Sequence, residues 1–174
     1  MQLSPEMIEA INEQIAYEAS SFNAYTAIGS WCERLGYDGS SAFFFEQAKE
    51  ESTHMLKFIH YLNNAGAEAV IPAIEKPTGN FESLEATFKF GLESEQKVTK
   101  TIYDLVDLSS KNKDYSTYSF LQWFVTEQTE EEILFQTILQ KFDLIGRDKL
   151  GIYQIDQSLA AIRTTVGNKQ QQLG

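Results

Sequence analysis

The sequence predicts an all-α fold, a bundle of four long helices paired as two antiparallel hairpins, with one long crossover between helices two and three and a short fifth helix at the C-terminus. Three observations carry that expectation. Apolar residues recur at i, i+3, i+4, i+7 through four long segments. The three Pro and ten Gly fall mostly in a few clusters and leave those segments uninterrupted. One connection near the middle of the chain is much longer than the others.

The first helix spans 5–35. Ser4 is its N-cap, Pro5 takes the first helical position, and Gly36 closes it. Its stripe reads Ile8, Ile11, Ile15, Glu18, Phe22, Tyr25, Gly29, Cys32. The sequence DGSS turns the chain into a second helix over 40–66, with stripe Phe44, Gln47, Glu51, His54, Phe58, Tyr61, Ala65. Residues 67–82 hold Pro72, Pro77 and Gly79, lack a period and read as a connection. A third helix, 83–111, carries Leu84, Phe88, Gly91, Glu95, Val98, Ile102 and Leu105. After the turn KNKD a fourth, 114–145, carries Leu121, Phe124, Gln128, Glu131, Phe135, Ile138 and Phe142. Gly146 and Gly151 precede a fifth over 152–165, with Ile155, Leu159 and Ile162, and the polar end 167–174 is expected to be mobile.

Helices of about 28 residues are roughly 40 Å long. A connection of about 16 residues reaches roughly 50 Å, enough to return along the bundle and set helices two and three parallel. The whole chain, 1–174, is expected to be one domain. A formal charge of −11 argues against a nucleic-acid partner or an anionic membrane surface. There is no apolar run long enough to span a bilayer and no leader-like start, so the expected location is cytoplasmic. Cys32 is the lone cysteine and is expected to pack as a small hydrophobe. Trp31 and Trp123 are also expected to pack, with Trp123 one turn before Glu127 and near enough to act as an electron source. His60 falls on the surface.

Every stripe is interrupted near its midpoint: by Glu18, by Glu51 with His54, by Glu95, and by Gln128 with Glu131. Glu18 to Glu51 and Glu95 to Gln128 are each 33 positions apart, so the two hairpins superpose with an offset of 77, as in a duplication. Buried carboxylates are costly alone, and four together repel and drive one another's pKa values upward. No Lys or Arg stands on these stripes near mid-bundle, whereas two divalent cations would balance four carboxylates. Carboxylates with an imidazole and no thiolate suit Fe, Mn or Zn. A Glu-x-x-His facing a glutamate of a neighbouring helix is the carboxylate-bridged two-metal arrangement of helical bundles. The second such motif is replaced by Gln128-x-x-Glu131, so one metal keeps a His and the other has mainly oxygen ligands and is held more weakly. On the same charge argument, Glu95→Leu is expected to leave the metal-free protein as stable or more so.

With those residues placed, the chain resembles the bacterial non-haem ferritins over essentially its whole length, through NEQIAYE (12–18), EESTHM (50–55), FLQWFVTEQTEEE (120–132) and YQIDQSL (153–159). The resemblance implies a ferritin-like bundle, with a first iron held by Glu18, Glu51 and His54. It implies a second held by Glu51, Glu95 and Glu131, with Glu51 bridging. Gln128 would bond bound oxygen species or orient Glu131, and Tyr25 matches the tyrosine beside the di-iron centre. A third, peripheral site would use Glu50, Glu127 and Glu130. The implied activity is ferroxidase, oxidising Fe²⁺ with O₂ or H₂O₂, coupled to storage of ferric mineral in a homo-oligomeric shell of 24 subunits. The alternative is a di-iron peroxidase or oxidase without storage. Ser52 stands where bacterioferritins place a haem-ligating Met, so no haem is expected. A single cysteine rules out the Cys-rich module of rubrerythrins.

Overall fold

The computed structural model describes residues 3–171, with side chains up to residue 162. Five helices follow in order: α1 Pro5–Leu35, α2 Asp38–Asn64, α3 Leu84–Lys111, α4 Tyr115–Ile145 and α5 Lys149–Gln171. The first and third stripes are bounded as their caps require. Ser4 accepts from the Met7 N–H at 3.2 Å, and Ser83 accepts from the Ala86 N–H at 3.1 Å. Asp114 caps α4 in the same way through the Thr117 N–H.

The helices pair α1 with α2 and α3 with α4, and α1 also packs along α3. Two apolar clusters fill the interior. One joins Ile28, Trp31, Phe43, Phe44, Leu84, Phe88, Ile138 and Phe142. The other joins Met7, Ile11, Phe58, Leu62, Ile102, Leu105 and Leu121. The start of α2 thus meets the start of α3 and the end of α4, so α2 and α3 run parallel. Residues 65–83 make the return journey along α1. Near its beginning the crossover is held by Asn12, which donates to the Glu68 carbonyl and accepts from the Val70 N–H at 2.7 Å. Near its end Phe81 packs edge-on against Trp31. No helix among the described residues is long and apolar enough to cross a membrane.

The second and fifth helices differ from expectation at both ends, α2 running 38–64 and α5 149–171, and the two starts have visible causes. The DGSS segment is not a turn before α2 but its first turn. The N–H groups exposed there are satisfied by the buried carboxylate of Asp156 on α5, which accepts from Gly39 N at 3.1 Å, Ser40 N at 2.7 Å and Ser40 Oγ at 2.6 Å. A Cβ on Gly39 would lie 2.0 Å from the Asp156 carbonyl oxygen, so glycine is needed for this contact. The fifth helix is the shortest of the five, yet it starts at Lys149 and runs through Gln171 rather than spanning 152–165. Asp148 accepts from the Gly151 N–H at 2.7 Å and caps α5, so Gly151 falls inside the first turn and not before it. The expected mobile end therefore overlaps helix as far as residue 171, and residues 172–174 lie outside the described residues.

Candidate metal centre

Between the two apolar clusters lies a polar belt, one turn deep, to which all four long helices contribute. Glu18, Glu51, Glu95 and Glu131 are 0%, 1%, 1% and 5% exposed, and His54 and Gln128 are buried with them. The helical period explains the convergence: each residue replaces one apolar position of a core-facing stripe, at matching depth. Phe135 packs against Tyr25 just beyond the belt, where a Cβ on Gly91 would come within 2.2 Å of the Phe135 ring.

Glu18, Glu51 and His54 each bring one ligand atom within 4.8 Å of the others. His54 Nδ1 stands 3.7 Å from Glu18 Oε2 and 3.7 Å from Glu51 Oε2, too far for hydrogen bonds. These three atoms and Glu51 Oε1 are buried without a hydrogen-bond partner. Such groups are rare in folded proteins and mark a place completed by something else. The opposite imidazole nitrogen, Nε2, faces Glu127 Oε1 at 3.8 Å. The ring is held edge-on against Trp123 and Phe124. Trp123 is 40% exposed and carries the Lys57 ammonium 3.3 Å above its indole, so it is less a core residue than a wall between the site and solvent.

The other side of the belt is bonded. Tyr25 donates its hydroxyl proton to Glu95 Oε1, and Gln128 Nε2 donates to Glu95 Oε2 at 3.0 Å. Glu131 Oε2 accepts from Gln47 Nε2 at 2.7 Å, so the amide that orients Glu131 is Gln47, while Gln128 serves Glu95. Gln14 Nε2 donates to Glu18 Oε1 at 2.8 Å. Gln14 lies off the stripe of α1, and Gln47 stands on the stripe of α2 with no charge to single it out. Their signal was available: each stands four residues before a belt glutamate, on the same helix face. The bonds to Glu95 argue against the expectation for Glu95→Leu, because the substitution would strand Tyr25 and Gln128 as buried donors. Glu50, Glu127 and Glu130 lie at the partly exposed margin of the belt.

The electrostatics follow from burial. Burial raises the Glu51 carboxyl well above its ordinary range, reinforced by the charge of Glu95 and opposed by His54. Burial likewise raises Glu95, against the lowering effect of the Tyr25 and Gln128 bonds, to about 7. Burial opposes the charged form of His54, but the carboxylates of Glu127, Glu18 and Glu51 outweigh it and push the imidazole up to about 12. Tyr25 is raised by burial and by the charge of Glu95. At the margin, burial and the charge of Glu127 raise Glu130. Without metal the His54 imidazolium is therefore the positive charge among these carboxylates. The set of hard oxygen donors, one imidazole and four unpartnered atoms fits a divalent first-row cation.

The family description Ferritin-like domain matches residues 8–145. The bacterial non-heme ferritin of Staphylococcus saprophyticus is 42% identical over 159 residues, covering 91% of this chain and 95% of the relative. That of Campylobacter jejuni is 43% identical over 160 residues, covering 92% and 96%. Among solved structures, an open pore ferritin from the archaeon Archaeoglobus fulgidus superposes with a TM-score of 0.88 at 36% identity, covering 91% of this chain and 98% of that one. The fold, the buried carboxylate–imidazole belt and these likenesses agree: the chain belongs to the ferritin family.

Proposed function

We propose that this ferritin, an iron-storage protein, oxidises the Fe²⁺ it stores at a two-iron centre in the polar belt. Glu18, Glu51 and His54 take the first Fe²⁺, and Glu51, Glu95 and Glu131 the second, with Glu51 shared. The observation that carries this reading is the set of buried, unpartnered ligand atoms: Glu18 Oε2, both Glu51 oxygens and His54 Nδ1. Two cations that share Glu51 satisfy all four, and the first replaces the His54 proton, which leaves as the imidazole nitrogen becomes a ligand. Four carboxylates then balance two Fe²⁺, so substrate binds without leaving net charge in a low-dielectric interior.

Oxidation removes one electron from each iron. With O₂ the balance is 2 Fe²⁺ + O₂ + 2 H⁺ → 2 Fe³⁺ + H₂O₂. With H₂O₂ as oxidant, 2 Fe²⁺ + H₂O₂ + 2 H⁺ → 2 Fe³⁺ + 2 H₂O. The Tyr25 hydroxyl, hydrogen-bonded to Glu95, keeps a proton beside the site. Gln128 orients Glu95. Glu50, Glu127 and Glu130 hold a weaker, more hydrated third iron at the margin. The ferric product passes to a mineral inside a shell of 24 copies, in the cytoplasm, where Fe²⁺ is available and Cys32 stays reduced.

Anaerobic titration with Fe²⁺ followed by rapid mixing with oxygenated buffer tests the centre. Two Fe²⁺ per subunit should oxidise in a fast phase that Glu51→Ala abolishes. A fast phase that survives Glu51→Ala overturns the assignment. Sedimentation separates storage from a non-storing di-iron oxidase, because a small dimer could enclose no mineral.

A further inference from the structure

Of the belt's four carboxylates, three are held by glutamine amides and one is not. Gln14 bonds Glu18, Gln128 bonds Glu95 and Gln47 bonds Glu131, whereas neither oxygen of Glu51 has a hydrogen-bond partner. Gln14 and Gln47 are 1% and 0% exposed, so their placement is no accident of the surface. Gln14 reaches forward one turn along α1, while Gln47 reaches from α2 across to α4. The amide orientation follows chemically, since a carboxylate accepts from N–H and repels an amide oxygen.

The choice of glutamine has a physical consequence. A Lys or Arg at either position would hold the carboxylate more strongly but would also cancel the negative charge that attracts a cation. A hydroxyl from Ser or Thr at the same backbone positions would be too short. An amide fixes the group and leaves its charge intact. It also commits one oxygen of two. With Glu18 Oε1 bonded to Gln14, Oε2 is the oxygen turned toward His54 Nδ1. With Glu131 Oε2 bonded to Gln47, the carboxylate is tied to α2 and cannot swing out to the marginal Glu127 and Glu130.

We propose that Gln14 and Gln47 are positioning residues, Gln14 presenting Glu18 to the metal beside His54 and Gln47 presenting Glu131 to the second metal, with Glu51 left unbraced so that it can adjust between the two. This rests on the reading of the belt as a two-metal centre. Each brace removes rotation about the carboxylate bond before the metal arrives, so affinity at its own site depends on it and affinity at the other does not.

The test uses Co²⁺, whose visible absorption reports ligand number and type and which is not oxidised by air at these ligands. The assembled, metal-free protein is titrated while the spectrum is recorded. His54→Ala and Glu131→Ala identify which binding step belongs to which site. Gln14→Met and Gln47→Met keep side-chain length and remove the donor. Gln14→Met should weaken the His54-site step about 10- to 100-fold and leave the other unchanged, and Gln47→Met should do the reverse. If either methionine variant does not assemble, Gln14→Leu or Gln47→Leu, which also lacks the donor and adds no charge, is judged by the same criterion. The proposal is overturned if neither step moves in either variant, or if both steps move together, as a general loss of packing would cause. Failure of the two-metal reading looks different: the unaltered protein would take up no pair of Co²⁺ ions sensitive to Glu51→Ala.

Discussion

The two hairpins of this bundle are built to one plan and finished differently. In α1–α2 the belt residues are Glu18, Glu51 and His54, and four of their ligand atoms have no hydrogen-bond partner. At the equivalent places in α3–α4, displaced by 77 positions, stand Glu95, Gln128 and Glu131. There the carboxylates are already bonded, Glu95 to Tyr25 and Gln128, and Glu131 to Gln47. Among the described residues only the first set brings three ligand groups into mutual reach. A shared scaffold therefore presents one region that a metal would complete and one that a metal would have to reorganise. The two sets differ in chemistry: Gln128 and Glu131 stand where the first hairpin carries Glu51 and His54, so the second hairpin places an amide donor to its own carboxylate where the first places a carboxylate without a hydrogen-bond partner.

The comparison is most easily broken through the unbonded side. Glu51→Ala and His54→Ala should each lower the fast Fe²⁺ oxidation rate by about 100-fold or more, beyond the loss expected for an outer-shell partner. Stopped-flow absorbance on the assembled protein measures it. Assembly should survive, because the apolar clusters on either side of the belt are untouched. Oxidation at the normal rate in either variant would end the distinction.

Stability without metal should separate the two sides next. Glu51→Leu removes a buried carboxylate that bonds nothing, so the melting temperature in chelator should hold or rise. Glu95→Leu strands the Tyr25 hydroxyl and the Gln128 amide and should cost about 1–3 kcal/mol, a fall of several degrees for a chain of this size. Shifts of the same sign in both variants would show that the two sides are equally satisfied.

The pH dependence gives a smaller effect of defined sign. Glu95 binds its proton more tightly folded, to about 7, than unfolded, so stability falls as pH rises from the ordinary carboxylate range to about 7. The raised Glu51 acts in the same direction. His54, raised to about 12, adds a further decline above its unfolded value of about 6.5. Glu85, held down to about 2 chiefly by Arg147, acts only at lower pH. Metal-free protein should therefore melt at progressively lower temperature from pH 5 to pH 8. Metal-loaded protein should lose that slope or reverse it, since metal binding strengthens as ligands give up protons. A thermal scan at both pH values, with and without Zn²⁺, is sufficient.

The smallest effect lies at the margin. Glu130→Ala should leave the initial oxidation rate nearly unchanged and reduce only the Fe²⁺ oxidised per subunit before the site clears. Glu127→Ala should also slow the first step a few-fold, because Glu127 Oε1 faces His54 Nε2 at 3.8 Å. Equal effects of the two variants on the first step, followed by stoichiometric Fe²⁺ titration, would show that the Glu127 contact with His54 has no part in it.

How much of this was legible beforehand depended on how local each cause is. The start of α1 follows from Ser4 and Pro5, in contiguous sequence with its first buried turn. The start of α2 depends on Asp156, 116 positions from Ser40, and no local pattern announces it. The belt residues themselves were visible because a charged group on an apolar stripe is improbable without a reason. The pairing within the belt was not, since periodicity gives the face and depth of a side chain but not its rotamer. Gln128 shares a helix face with Glu131, three residues on, and only the packed interior assigned it to Glu95 on α3.

The sequence by itself determined the number of long helices, their pairing, the returning crossover and the level at which six polar side chains meet. These are consequences of spacing along one chain, repeated at 77 positions, and of the cost of burying charge. Tertiary structure alone decided which carboxylate bonds to which amide, that Glu51 remains without a partner, and that α5 caps α2 through Asp156. Those depend on angstrom-scale distances between helices, where a hydrogen bond at 2.7 Å and a gap of 3.7 Å have opposite meanings. Sequence spacing does not resolve that difference, because side chains on neighbouring helices choose among rotamers only once their backbones are fixed.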